Sequence, residues 1–269
     1  MKKIFASIIC CMLALCTVFM TGCTFVGEFV EATPEQFEEL CDKIEDAEFS
    51  FEGGFSYKLS LKSTVPGQQH QVDFTVKAIN DGGLQSKGCL QMILPETAET
   101  PAVNIKTDYW YKDGVIYEKL TEKESDTQLK TKSTIDFDAY LDTYFDVVPL
   151  PETSLSVLEY IVSINELGGT PEIYIAEEEE LTKLKIRLVD HEVVGEQSEN
   201  LGTITLTVIF VYDKDYNLSA FKYDIVSKAK EGKVKNSVVL EPWNANVSLP
   251  KDVEEYIDLD DMLPPPEQV

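Results

Sequence analysis

The sequence predicts an α+β domain: one large, strongly curved antiparallel β-sheet with amphipathic helices lying over one face. Three observations lead there. From residue 49 onward most of the chain alternates apolar and polar side chains with period two, the spacing of half-buried strands. Short turns rich in Gly, Asn, Asp and Pro separate these runs, so consecutive strands are antiparallel neighbours. In two places, 34–44 and 134–168, the apolar spacing changes to three and four residues, the period of helices.

The first helix starts at Thr33-Pro34-Glu35. Thr33 can cap, Pro34 suits the first helical position, and Glu35 complements the positive end of the dipole. Phe37, Leu40, Cys41 and Ile44 form its apolar stripe. Phe49, Phe51, Phe55, Tyr57, Leu59 and Leu61 then point one way along a long strand. Gly53-Gly54 within it marks a bend, which suits a curved sheet. Val72, Phe74, Val76 and Ala78 make the next strand, and Asn80-Asp81-Gly82-Gly83 signals a hairpin into 84–94. Val103, Ile105, Tyr109 and Tyr111 continue the alternation, and Asp113-Gly114 turns the chain into 115–120. The polar segment 123–132 reads as an exposed loop.

Phe137, Tyr140, Leu141, Tyr144 and Phe145 recur at helical spacing, with Asp136, Asp138 and Asp142 opposite. After Pro149 and Pro151, Ser154 can cap a second mid-chain helix. Leu155, Leu158, Ile161 and Val162 form its stripe, and Gly168-Gly169 ends it. Strands return with Leu184, Ile186 and Leu188, then with Ile204, Leu206, Val208, Phe210 and Tyr212. Two further strands follow over 218–227 and 234–240. Segment 242–256 is irregular, with a short helix after Pro250. An acidic, Pro-rich tail ends the chain.

The first residues supply an address. Lys2 and Lys3 precede an apolar run over 4–20, short for a spanning helix, which needs about 20 residues. The end of that run, Met20-Thr21-Gly22-Cys23, resembles the lipobox of bacterial lipoprotein signals, with Met20 where that motif usually has Leu. The resemblance implies cleavage before Cys23 and a diacylglyceryl group on its thiol. Two acyl chains hold a protein at a membrane where one is marginal. The expected organisation is a signal over 1–22, a tether over 23–33, a single domain over 34–256 and a tail over 257–269, anchored outside the cytoplasm at the bacterial cell membrane.

A net charge of −25 on 269 residues repels nucleic acid and anionic membrane surfaces, which argues against a nucleic-acid partner. Of six cysteines, three lie within the expected signal and Cys23 is the one that the lipobox resemblance implies is lipidated. Cys41 and Cys89 remain. An extracellular location permits a disulfide between them, while Cys41 on the apolar helix face reads equally as a small buried thiol. Two cysteines with only His70 and His191 make no zinc pattern. Asp213, Asp215 and Asn217, with Asp224 at the twelfth position, imitate a calcium loop, but Leu218 occupies the position that needs Gly, so the segment reads as a hairpin turn. The carboxylates of 177–180 are consecutive and cannot all point at one centre. No nucleophile elbow, phosphate-cradling loop or paired-histidine metal motif occurs, and the expectation is a protein that is not an enzyme and carries no cofactor or metal.

The lipobox Cys, the helix leading into 49–61, the hairpin Trp110-Tyr111-Lys112-Asp113-Gly114-Val115-Ile116-Tyr117, the mid-chain helices and the hairpin Asp213-Lys214-Asp215-Tyr216-Asn217-Leu218 together resemble Gram-positive surface lipoproteins. These are related in fold to the LolA/LolB carriers and the mycobacterial LppX/LprG lipoproteins. The resemblance implies an incomplete β-barrel whose open side is covered by helices and whose cavity takes acyl chains. The resemblance carries over no lipid-binding residue; from its own spacing, the aromatic face of Phe137, Tyr140, Leu141, Tyr144 and Phe145 reads first as ordinary core packed on the sheet and second as the roof of a site for a lipid or other apolar ligand. The alternative function is a non-catalytic envelope scaffold or interaction module with a filled core. No protein partner is indicated.

Overall fold

The computed structural model describes residues 24–45, 54–80, 83–96, 101–135, 156–194 and 200–261. They form a 13-stranded sheet with β1 (Val30–Glu31) at one end and β13 (Ile257–Asp258) at the other. The interior is two antiparallel meanders. One contains β2 (Gly54–Ser63), β3 (His70–Asn80), β4 (Leu84–Leu94), β5 (Val103–Lys112), β6 (Val115–Glu122) and β7 (Thr127–Thr134). The other contains β8 (Glu172–Glu177), β9 (Leu181–Val194), β10 (Asn200–Asp213), β11 (Leu218–Ala229) and β12 (Gly232–Pro242). They join through an antiparallel β12–β2 pair, with Val238 opposite Leu59. The two end strands of the described sheet do not pair with each other, so the curved sheet is an incomplete barrel.

The alternation assigns the two faces. Leu59, Phe74, Tyr109, Ile116, Leu184, Leu206, Phe210, Phe221 and Val238 belong to one buried cluster on the inner face, together with residues of both described helices. Burying a Phe-sized side chain contributes about 1.5 to 3 kcal/mol, so this face dominates stability. The outer face is mostly polar and carries ion pairs, Lys58–Glu241 across β2 and β12 and Lys106–Asp108 and Lys222–Asp224 each along one strand.

Helix α1 (Pro34–Ile44) has a capping box: the Thr33 hydroxyl accepts from the Gln36 N–H, and the Gln36 amide oxygen accepts from the Thr33 N–H. Leu40 is buried, and Phe37 and Ile44 pack against the core. Helix α2 (Val157–Glu166) ends in a paired C-cap. Gly168 N–H reaches the Asn165 carbonyl, and Gly169 N–H reaches that of Ile164. Its buried stripe is Val157, Tyr160 and Ile164; of the predicted stripe Ile161 does pack against the core, Leu155 lies outside the described residues, and Leu158 and Val162 are corrected, being 61% and 53% exposed. The helix is apolar on more than one side, and the stripe carrying the aromatic ring is the one that fits the aromatic sheet beneath.

Four strands escape the sequence pattern. Segment 123–132, expected as a loop, contributes most of β7, where Thr and Lys alternate without an apolar face. β8 is short and runs into the acidic stretch. β1 and β13 have two residues each, too few to show a period. Segments near both ends of the described residues thereby join the sheet. β1 pairs with β8, inside the expected tether, and β13 lies parallel to β7, inside the expected tail.

The outer face is covered near those two ends. Phe25 and Phe29 pack on Ile209, Val211 and Ala220. At the opposite end Tyr256 is buried edge-on against Tyr117, with ring centroids 5.7 Å apart. Lys130 pairs there with Asp252 and Glu255, and Lys132 with Asp258.

Candidate functional site

The inner face is apolar across most of the sheet and aromatic in two places. In the first meander Tyr57, Phe74 and Tyr109 line up across β2, β3 and β5, with successive centroids 6.2 Å apart. Gly88 makes this possible. A Cβ there would lie 2.1 Å from the Tyr109 hydroxyl and 2.2 Å from the Thr75 carbonyl oxygen. Tyr109 instead lies across the bare glycine backbone and donates to the Thr75 carbonyl at 3.1 Å. Burial pushes the Tyr57 hydroxyl up to about 12.

The second group lies beneath α2. The Tyr160 ring is 5.9 Å from Phe210, 6.2 Å from Phe221 and 5.8 Å from Tyr223. Burial raises the Tyr160 hydroxyl above its ordinary range. That hydroxyl has no hydrogen-bond partner among the described residues, although Tyr160 is only 7% exposed. Asn236 Oδ1 is likewise buried without a partner among them. Asn236 stands in the inner-facing series Val234, Asn236, Val238, Leu240, between Leu61 on β2 and Ile225 on β11. An unmet buried polar atom costs about 1 to 3 kcal/mol, so two on one apolar face need an account.

Coverage of the face is uneven. Near α2, Val208 and Phe210 are fully buried. Across β2, β4 and β5, inward residues Phe55, Leu61, Leu90, Met92 and Ile105 are only partly buried. Farther along the same face Leu120 and Leu129 are 36% and 49% exposed. Glu118, cross-strand from Tyr109, sits on this face, and burial raises its carboxyl.

A separate cleft of about 460 Å³ lies between β1, α1, β8 and the β10–β11 hairpin, lined in part by Glu28, Glu31, Glu39, Lys43, Glu177 and Tyr216. Lys43 lies over the Tyr216 ring, 5.4 Å from its centroid, and bonds to Glu39 and Tyr216 raise its ammonium. This cleft is polar, unlike the inner face.

Other residues singled out from sequence have simpler surroundings. Phe137, Tyr140, Leu141, Tyr144, Phe145 and Cys23 lie outside the described residues. Cys41 and Cys89 are free thiols. Cys41 is on α1, over the inner face, whereas Cys89 is on the outer face, cross-strand from Thr75 and Asp108, so the sheet separates them. Burial pushes the Cys89 thiol up to about 11. His70 and His191 each bond a backbone carbonyl, of Gln68 and Leu167. The Asp213 carboxylate accepts from the N–H groups of Asp215 and Asn217, a hairpin turn closed by its own side chain. Glu178 pairs with Lys183. Among the described residues no group of three potential metal ligands converges, and no helix is long and apolar enough to cross a membrane.

Sequence reasoning passes over Tyr160, Asn236 and Lys183, and only in part for want of a signal. A lone amide in the apolar register of 234–240 is visible in the sequence. An unmet hydrogen bond is visible only in three dimensions.

No protein-family model and no curated protein matches the chain. Among solved structures it is similar to LprF from Mycobacterium bovis, at 17% identity over 82% of this chain and 99% of that one, with a TM-score of 0.32. It is also similar to the Mycobacterium tuberculosis lipoprotein LppX, at 13% identity over 81% and 100% of the two chains, TM-score 0.28. A third is the LolA superfamily protein NE2245 from Nitrosomonas europaea, at 10% identity over 83% and 97%, TM-score 0.17. These neighbours are of the kinds that the sequence resembles.

Proposed function

We propose that this is a non-enzymatic extracytoplasmic protein, anchored to the cell membrane by lipid on Cys23, that holds an apolar, acyl-chain ligand against the inner face of its sheet. One observation carries the reading: inward apolar side chains on β2, β4 and β5, including Phe55, Leu90 and Ile105, are incompletely buried, although they continue a face that is fully buried under α2. Contiguous apolar surface of this kind in a concave setting is what an acyl chain covers. The outer face is instead mostly polar and carries ion pairs.

Native mass spectrometry of the full chain after exposure to a total lipid extract tests the proposal. Added mass that extracts as lipid is the expected result. A protein that stays ligand-free at every lipid load overturns it.

A second reading, an interaction module with a filled core, draws on Leu158 and Val162, which lie one turn apart on α2 and are exposed. Leu158→Glu with Val162→Glu would then abolish retention on a protein partner while leaving lipid loading intact. Loss of lipid loading with no change in protein contacts would count against it.

A further inference from the structure

We infer that the outer face of the sheet carries a separate anion site, in which Lys77, Lys87 and Ser56, gathered at Trp243, bind the phosphate group of a small phosphate monoester. The inference goes beyond the apolar-ligand reading and does not depend on it, because the two sites lie on opposite faces of the sheet.

Register and distance bring these residues together. Lys77 on β3 stands directly opposite Lys87 on β4. Both ammoniums lie by one indole, that of Trp243, at 5.7 Å and 5.5 Å from its centroid. Trp243 follows β12, and its N–H donates to the Gly54 carbonyl at 2.9 Å, so its side chain meets the two lysines across β2. Ser56 stands in that stretch of β2 on the outer face, cross-strand from Lys77 on one side and Glu241 on the other. It is 1% exposed, and its hydroxyl has no hydrogen-bond partner among the described residues.

The charges are not balanced within the patch. Like charges directly opposite one another on a sheet destabilise it. Elsewhere on this face Lys58, Lys106 and Lys222 each hold a carboxylate. Lys77 and Lys87 hold none among the described residues. The carboxylate beside them, Glu241, is already taken by Lys58 at 2.9 Å. Burial, with Lys58 and Lys87 close by, lowers the Lys77 ammonium. The indole attracts both cations, by about 0.5 to 1 kcal/mol each at an exposed site, but brings no negative charge. Two uncompensated cations and one unmet donor therefore meet on a chain of net charge −25.

That combination selects the ligand. A phosphate monoester brings close to two negative charges and three terminal oxygens, one for each ammonium and one for the Ser56 hydroxyl. A carboxylate brings one charge and leaves a donor unmet. An anionic membrane or polymer meets the repulsion of the whole acidic chain, whereas a small anion meets only the local patch within a Debye length of about 8 Å.

The test uses the full chain carrying Trp110→Phe, which leaves Trp243 as its only tryptophan. Methyl phosphate is titrated at constant ionic strength and about pH 8, above the second ionisation of such esters near 6. Trp243 emission follows occupancy, and calorimetry gives the affinity where the emission change is small. Saturable binding is expected, with dimethyl phosphate and acetate weaker by about tenfold. Lys77→Gln and Lys87→Gln should each weaken methyl phosphate by about tenfold, the effect of one charge-assisted bond. Ser56→Ala should weaken it by about fivefold. Lys62→Gln should change nothing, although Lys62 and Lys235 are also directly opposed on this face.

Failure of methyl phosphate to saturate overturns the inference. So do equal affinity for dimethyl phosphate and equal losses in Lys62→Gln and Lys87→Gln. Binding to phosphatidic acid vesicles with no response to methyl phosphate would overturn it in favour of a membrane contact. Each of these outcomes leaves lipid loading on the inner face, read by native mass spectrometry, untouched.

Discussion

Lys183 Nζ donates to the backbone carbonyl of Val26 at 2.5 Å, while its own side chain is almost wholly buried on the outer face. A second bond, to the Glu178 carboxylate at 2.6 Å, balances the charge. This lysine fastens the segment leading from the N-terminal region onto β9. Gly27 lies close by, where a Cβ would come within 3.6 Å of the Lys183 stem.

Lys183→Met should release that segment while preserving most of the packing of the aliphatic stem. The expected cost is about 1 to 3 kcal/mol, the range for a buried group left unmet. Urea denaturation measures it. Limited proteolysis should show cleavage within 24–31 appearing before the sheet unfolds. Unchanged stability and unchanged protection would refute the fastening role.

Gly88→Ala should destabilise strongly, by about 2 kcal/mol or more, because the added methyl meets both the Tyr109 ring and the Thr75 carbonyl. Tyr109→Leu in the same chain should recover only part of the loss, since the carbonyl is backbone and cannot swing away. Full recovery would show that Tyr109 alone sets the constraint.

Acid should loosen the C-terminal end of the sheet first. A bond from Lys130 lowers the Asp252 carboxyl, and a bond from Lys132 lowers that of Asp258. A depressed carboxyl contributes stability that is present above its unfolded value, near 3.8, and is lost as pH falls through the still lower folded value. Glu118 has the opposite sign, because burial raises its carboxyl. Its penalty is full above the folded value and vanishes as pH falls below the unfolded one. Glu118→Gln should therefore raise the melting temperature at pH 7 and lose that advantage in acid. Hydrogen exchange in β7, followed from pH 7 to pH 3, reads the first effect. A melting series of the variant reads the second.

The anchor has a cellular test. Cys23→Ala should move the protein from the membrane fraction to the medium or leave an unprocessed precursor. A variant that is processed and retained like the original would remove Cys23 from the proposal.

Much of the sheet is legible because its long strands bury one side. Phe74, Val76, Leu184, Ile186, Val208 and Phe210 all point where period two puts them, on the buried inner face. β7 is not legible, since its Thr and Lys residues mark neither side as apolar. The orientation of α2 fails for the reverse reason. Leu158 and Val162 are as apolar as Ile164, and only the aromatic partners Phe210 and Phe221 select the Tyr160 side. The candidate site divides in the same way. Its apolar lining follows from alternation, whereas the unmet hydroxyl of Tyr160 depends on which atoms other strands bring near it.

Both borders of the sheet are occupied by two-residue strands from opposite ends of the chain, β1 on β8 and β13 on β7. An uncovered border strand is a template for another copy of the same strand. β1 and β13 each shorten the edge that β8 and β7 would otherwise offer. Clipping before residue 32 or after residue 256 would bare more of β8 or β7 to pairing with another copy. At a membrane surface, where anchoring would hold copies close together in two dimensions, that protection would matter most.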